Sequence, residues 1–261
     1  MSLLPQEDEE KDRLFVVALA RGLRVLAAFQ PGESALSNQI LAQRTGLPKS
    51  TVSRLTYTLT KLGYLSQDEE TGYYRLGLAV LALGSAVLGS YDIRRIAAPL
   101  MREFALKNTI SISLGMRDGS DIVYLETCRS QARVSVQLTV GSRVPLASTA
   151  IGRACYAALG NSERLQLDGE LAARYGKDWP AMQERLEQAR QQYLQRGYSE
   201  SFGEFERDVM AVGVALPSPA PGMPALCLNA SGPAFAFSPE LMRSQIAPAL
   251  MQLARQLVPG H

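Results

Sequence analysis

The stretch that decides the fold reads Leu41-Ala42-Gln43-Arg44-Thr45-Gly46-Leu47-Pro48-Lys49-Ser50-Thr51-Val52-Ser53-Arg54-Leu55. Gly46 sits where the chain must turn between two helical patterns, and a residue without a Cβ enters the left-handed region at no steric cost. Pro48 suits the first position of the next helix, where its missing N–H would be unpaired anyway. The periodicity predicts a helix over 48–62, ended by Gly63. At about 100° per residue, Val52, Leu55, Leu59 and Leu62 fall on one side, and Ser50, Ser53, Arg54, Tyr57 and Lys61 on the other. The second face holds no acid, and its short hydroxyls near the N-terminal end leave the backbone free to approach a partner. These are the properties of a recognition helix whose first turns reach base edges in a major groove.

Working outward, a short helix fits 36–44, with Leu36, Ile40 and Leu41 inward. A longer one fits 14–29, with Leu19, Leu23 and Leu26 on one stripe, and Gln30-Pro31-Gly32 stops it. Downstream, Tyr64-Leu65-Ser66 and Tyr73-Tyr74-Arg75-Leu76 read as two strands of a hairpin, the wing of a winged helix-turn-helix over 13–76. The hairpin tip is acidic, so Arg75 and the strand edges are expected near phosphate. The candidate DNA-binding residues are Lys49, Ser50, Thr51, Ser53, Arg54, Tyr57, Lys61 and Arg75. A linker helix is expected over 77–90. It is apolar almost all round and therefore needs a partner surface, and it is shorter than the about 20 residues of a membrane span.

The chain has 261 residues, 46% apolar and 20% charged, enough for two domains with a substantial core. Its net charge of +2 conceals a gradient. Residues 1–10 carry four acids and no base, while residues 11–65 carry eight bases and two acids. A basic block is expected of a polyanion-binding unit, although a solvated surface explains the charge alone equally well. Residues 1–12 read as an acidic disordered tail, and their order of charge then hydropathy is wrong for a signal peptide, so a cytoplasmic protein is expected. The only histidine is His261, which excludes Ser-His-Asp triads, Cys-His dyads and histidine zinc sites. Cys128, Cys155 and Cys227 show no CxxC spacing and read as core thiols. No Walker loop, Gly-x-Ser-x-Gly, GxGxxG or HExxH is present. The expectation is a non-enzyme with no metal and no cofactor.

From about residue 91 the pattern becomes α/β. Helices fit 93–107, 147–159, 162–174 and 179–196, and strands fit 110–116, 122–127, 134–138, 210–216 and 225–230. Residues 217–224 read as a rigid proline-rich loop. A last helix is capped by Ser238 and expected to be kinked or interrupted at Pro248. Ser148 and Thr149 precede a helix, so either can cap it. The same helix N-terminus, with free N–H groups and a hydroxyl, suits a carboxylate. Asn229 and Ser231 alternate with Leu228 and Ala230, so both polar groups face one way, toward a ligand or toward solvent. Leu146, Met210 and Leu228 are candidates to pack the body of such a ligand, and Glu204 reads as a surface acid.

The quoted stretch, with Leu62-Gly63-Tyr64-Leu65 and Tyr74-Arg75-Leu76-Gly77, resembles the DNA-binding domain of the IclR family of bacterial transcription regulators. Gly141-Ser142-Arg143-Val144-Pro145-Leu146, Thr149-Ala150-Ile151-Gly152-Arg153-Ala154, Arg196-Gly197-Tyr198, Gly203-Glu204-Phe205 and Ser231-Gly232-Pro233 resemble its effector domain. The resemblance covers about residues 14 to 258. It implies an α+β chain: winged helix-turn-helix, linker helix, and a GAF-like α/β effector-binding domain over 91–261. It also implies pocket positions around Ala150, Met210, Cys227, Asn229 and Ser231, and a linker helix buried against a partner chain. The implied function is a regulator that binds a palindromic double-stranded DNA operator as a homodimer or homotetramer and senses a small-molecule effector. Residues 15–23 resemble the opening of the subgroup controlling aromatic-acid catabolism, so a small carboxylate, aromatic ahead of aliphatic, is expected. The rival reading is a constitutive architectural DNA-binding protein whose C-terminal domain only oligomerises.

Overall fold

The computed structural model describes residues 14–30, 32–89, 93–129, 138–216 and 225–257. The acidic segment 1–12, nearly all of the strand expected over 134–138 and the loop expected over 217–224 lie outside these residues. The chain divides into two units, Met1–Tyr91 and Asp92–His261.

In the first unit, α1 (Val17–Ala27), α2 (Asn38–Thr45) and α3 (Lys49–Lys61) precede β1 (Leu65–Gln67), β2 (Tyr74–Leu76) and α4 (Leu78–Gly89). The Ser37 hydroxyl caps α2 by accepting the Ile40 N–H at 3.2 Å, and Gly46 ends it with φ +69°. Pro48 stands just before α3 with extended ψ, one residue earlier than the sequence suggests. Gly63 ends α3 at φ +77°, and the Tyr64 N–H closes the turn on Leu59 O at 2.9 Å. β1 and β2 pair antiparallel, and Leu36 exchanges two backbone hydrogen bonds with Tyr74 beside them. A Cβ on Gly77 would lie 2.1 Å from Gly63 O, so only glycine lets the chain leave the wing there.

The core of this unit is Val25, Leu36, Leu41, Ala42, Val52, Leu65 and Tyr74. Two residues of the α1 leucine stripe lie on the surface: Leu19 is 62% exposed and Leu23 52%. The inward side of α1 carries Ala20 and Val25, and the small Gly22 lies against Leu55 of α3. Close helix approach selects small residues, which turns the large leucines outward. Leu62 is likewise exposed, and Thr56 occupies the buried turn of α3, its hydroxyl satisfied by Val52 O at 3.0 Å.

The second unit is a six-stranded antiparallel sheet in the order β5-β4-β3-β8-β7-β6. Its strands are β3 (Ser111–Asp118), β4 (Asp121–Cys128), β5 (Arg143–Pro145), β6 (Ser199–Phe202), β7 (Val209–Ala215) and β8 (Leu226–Pro233). The sequence reading omits β5 and β6 and ends β8 three residues early. Helix α6 (Ala150–Ala158) packs on one face, with α7 (Asn161–Tyr175) and α8 (Trp179–Arg196) behind it. The other face meets α5 (Ile93–Asn108) and α10 (Ala247–Leu257). Pro248 does not break the last helix. A π-helical turn, Met242–Ile246, follows α9 (Pro239–Leu241) and contains Ser244, the residue four before Pro248. The widened turn removes the hydrogen bond that proline cannot donate.

Candidate DNA-binding face and effector cleft

On α3 the side chains of Lys49, Ser50, Ser53, Arg54, Tyr57 and Lys61 are exposed and Thr51 is half-buried. Lys61 Nζ lies 5.6 Å from the centre of the Tyr57 ring. Arg75 is exposed in the middle of β2, opposite Ser66. A groove between α1 and α3 is lined by Arg21, Thr51, Ser53, Arg54, Tyr57 and Thr58 among others. Arg21 was therefore missed by sequence reasoning. It is one residue before Gly22, the point of close approach to α3, and that packing brings it to the same face.

One member of this face, and one base near it in sequence, are tied down. Ser53 Oγ donates to Lys49 O at 3.0 Å and accepts from Asn38 Nδ2 at 2.6 Å, which fixes its rotamer. Arg44, counted in the basic block, is held by both carboxylate oxygens of Glu33 at 2.6 Å and by Ala28 O at 2.9 Å. That fork, with the Gln30 N–H, lowers the Glu33 pKa to about 2. At the wing tip, Asp68 accepts the Thr71 N–H and hydroxyl at 2.8 Å each, and its pKa falls for that reason first and by attraction to Arg75 last. The acidic tip thus serves the turn itself.

In the second unit, a narrow cleft lies between α6 and the sheet, with a cavity volume of about 20 Å³ in this structure, on the order of one water. Tyr124, Leu138, Val144, Thr149, Ala150, Ser201, Phe205, Val209, Ala211, Asn229 and Ser231 line it, without a charged side chain. Its floor follows from strand register. One row across the sheet runs Ser201, Ala211, Ser231, Ser111, and the next runs Ser199, Gly213, Asn229, Ser113, Thr127. Side chains in register share a face, so the α6 side of the sheet is a floor of hydroxyls, one amide and small residues. Gly213 is needed there: a Cβ would lie 2.5 Å from Ala150 O in the first turn of α6.

Thr149, not Ser148, caps α6, accepting the Gly152 N–H at 3.2 Å and donating to Pro145 O at 2.7 Å. Ala150 and Ile151 then hold the first helical positions, whose N–H groups have no partner within the helix. The Ser199 hydroxyl meets Ala150 O at 2.6 Å and the Ser201 hydroxyl meets Ser148 O at 2.8 Å, fixing β6 beneath the helix start. Tyr124 is buried, and burial pushes its pKa to about 12 against hydrogen bonds from Asn229 and Ser113. One wall is secured by a pair the sequence reading did not see. Arg153, buried on α6, donates to Ala147 O at 3.2 Å, to Glu200 O at 2.9 Å and to both carboxylate oxygens of Glu204. Glu204, read as a free surface acid, therefore clamps the loop that delivers Phe205 to the cleft.

Residues 18–69 match the model of the IclR helix-turn-helix domain, and residues 85–258 match that of the bacterial transcriptional regulator IclR C-terminal domain. The HTH-type transcriptional regulator TsaQ1/TsaQ2 of Comamonas testosteroni is 36% identical over 97% of this chain and 91% of its own length. The chain belongs to the IclR family. A crystal structure of an IclR family transcriptional regulator from Brucella abortus is 39% identical, covering 96% of this chain and 95% of that one, with a TM-score of 0.80. An IclR homolog from Microbacterium hydrocarbonoxydans, complexed with 4-hydroxybenzoate, shares the fold at 22% identity and a TM-score of 0.72, over 92% of this chain and 98% of that one. As a member of the IclR family the protein is a transcription regulator and not an enzyme, with an N-terminal helix-turn-helix domain and a C-terminal effector-binding domain.

Of the nine expected effector positions in this IclR-type domain, the cleft gathers Thr149, Ala150, Asn229 and Ser231. The other five lie elsewhere. Met210 and Leu228 alternate with the lining residues Val209, Ala211 and Asn229, so the pleat turns them to the opposite face. Leu146 and Cys227 belong to the core beneath α6. There Cys155 and Cys227 hydrogen-bond each other, which with burial raises the Cys227 pKa. Ser148 contributes its carbonyl to Ser201. The missed polar lining had a signal, since Ser111-x-Ser113 and Ser199-x-Ser201 repeat the Asn229-x-Ser231 spacing.

Proposed function

We propose that this regulator binds a palindromic operator as a dimer or dimer of dimers and releases or tightens it on binding a small carboxylate. In this reading the winged unit spans 13–76, the linker helix 77–90 and the sensing domain 91–261. Arg54 and Ser53 of α3 face base edges, while Lys49, Ser50 and Lys61 position phosphates. Thr51, Tyr57 and Arg75 complete the contact face.

Apolar exposure on α1 and α4 supports dimerisation. Leu19 and Leu23 on α1 and Leu78, Leu81, Leu83 and Val87 on α4 are all more than half exposed, and α4 has no buried residue. A twelve-residue helix without a charge needs a covering surface, and a second copy supplies one.

The observation that carries the sensing role is the cleft. It joins a capped helix N-terminus to a hydroxyl and amide floor and to the apolar walls Leu138, Val144, Phe205 and Val209. Helix N–H groups favour an anion, and the walls suit an aromatic or short aliphatic body. The 4-hydroxybenzoate held by the Microbacterium homolog is of this chemistry. Pocket occupancy biases the packing of the effector domain and, through the linker helix, the operator-binding state. A purely architectural protein has no use for such a cleft. Calorimetry with benzoates and short keto acids tests the reading, and much tighter binding of a neutral or cationic ligand refutes it.

A further inference from the structure

Ser53 is exposed on α3 beside Arg54, yet its hydroxyl is already bonded twice within the protein. It donates to Lys49 O at 3.0 Å, one turn back on the same helix. It accepts from Asn38 Nδ2 at 2.6 Å, a donor on a different helix and 15 residues away in sequence. A helical serine left to itself alternates between its i−4 carbonyl and solvent. Asn38 removes that freedom: it is the first residue of α2, and the Ser37 cap beside it fixes where that helix starts. A hydroxyl has one proton and two lone pairs. Here the proton lies on Lys49 O and one lone pair on the Asn38 amide, so a lone pair is what remains for a partner. Turning the proton outward would leave Ser53 Oγ and Lys49 O 3.0 Å apart with no hydrogen between them. Reversing the Asn38 amide changes nothing outward, because Ser53 would then give its proton to Asn38 Oδ1.

We infer that Asn38 is a positioning residue for operator reading: it holds the Ser53 hydroxyl as a hydrogen-bond acceptor, so that this contact selects a base with an amino group in the major groove. The inference rests on the reading of α3 as the helix that meets base edges. In the major groove adenine N6 and cytosine N4 donate, whereas guanine O6 and thymine O4 accept. A serine hydroxyl that is free to turn serves either kind of edge. The pinned oxygen instead bonds an amino group and is repelled by a keto oxygen. At the base that Ser53 meets, adenine or cytosine is therefore favoured over guanine or thymine on the same strand by about threefold to tenfold.

The test uses the full chain and a pool of randomised duplexes, from which the wild type, Ser53→Ala, Asn38→Ala and Arg54→Ala each select a motif. Ser53→Ala is expected to level one column, in which the wild type prefers adenine or cytosine. Asn38→Ala is expected to level the same column, and the double variant Asn38→Ala with Ser53→Ala to add nothing further. If Asn38→Ala does not fold, Asn38→Ser takes its place, since serine suits a helix start but is too short to reach Ser53. On the wild type, an analogue base without the amino group, such as purine in place of adenine, is expected to weaken binding by the same threefold to tenfold or so at that column alone. An Asn38→Ala motif identical to the wild type, or a loss spread evenly over all columns, overturns the positioning role. A guanine or thymine preference in the column that Ser53→Ala levels, or no levelled column while Arg54→Ala still alters the motif, overturns the acceptor inference and leaves the α3 reading standing. If neither Ser53→Ala nor Arg54→Ala changes the motif, the α3 reading fails and this inference with it.

Discussion

Replacing Arg153 by methionine keeps the aliphatic stem in the core and removes every hydrogen bond the guanidinium makes. The side chain is 6% exposed, and its partners are two backbone carbonyls, Ala147 and Glu200, and the Glu204 carboxylate. Each stranded carbonyl costs about 1–1.5 kcal/mol, toward the lower end for buried groups left unpaired. Glu204 is 41% exposed and rehydrates, so its loss adds little. The sum is about 3 kcal/mol. Glu204→Gln leaves the guanidinium its two carbonyls and costs about 1–2 kcal/mol. Trp179, the sole tryptophan, packs against the effector-domain core, so its fluorescence reports unfolding of that domain selectively. With a urea slope of about 2 kcal/mol per molar, Arg153→Met moves the midpoint down by about 1.5 M. A shift below about 0.3 M would show that the clamp contributes nothing. A double-mutant cycle then separates the Arg153–Glu204 coupling from the carbonyl contribution.

On DNA, Arg54→Ala weakens operator binding by about 1–3 kcal/mol and relaxes discrimination at one base pair, read by gel-shift titration at fixed salt; an unchanged affinity refutes the role given to α3. Leu83→Asp, which places a charge in the apolar surface of α4, shifts light scattering toward a smaller species. A wild-type monomer at micromolar concentration defeats the dimer reading. Glu33 has a pKa of about 2 against an ordinary 4.5, so its stabilising contribution is complete above the ordinary value and is lost as pH falls from there through 2. Circular dichroism melts of Glu33→Gln between pH 2 and 6 are expected to lack that part of the wild-type pH dependence, and parallel profiles would contradict it.

Glycines and caps made the first unit readable. Gly46, Gly63 and Ser37 announce their geometry in the residue type itself, and the helix-turn-helix follows from them. The stripe of α1 alone did not say which way it points, because a leucine stripe looks the same whether it faces the chain's own core or another surface, and here Leu19 and Leu23 are exposed. In the sensing unit, β5 and β6 are three and four residues long, too short for alternation to show. The face of each strand was the harder problem. Asn229 and Ser231 declare a polar face, but only the pairing of β7 with β8 shows that Met210 points away from it while Val209 and Ala211 point toward it. The Arg153–Glu204 clamp spans 51 residues of sequence, and nothing local in either neighbourhood encodes it.

The two rows of Ser, Asn, Ala and Gly under α6 divide labour within the sheet. Main-chain pairing and the apolar residues of the other face, such as Ile112, Leu114, Leu228 and Ala230, hold the strands together. Short side chains occupy the cleft face. Swapping Ser231 or Ala211 among Ser, Ala and Thr alters the chemistry presented to a ligand without disturbing the ladder that supports it. If the proposed sensing role holds, such a sheet is a ready chassis for biosensors, its cleft open to change one small residue at a time while the helix-turn-helix unit stays as it is.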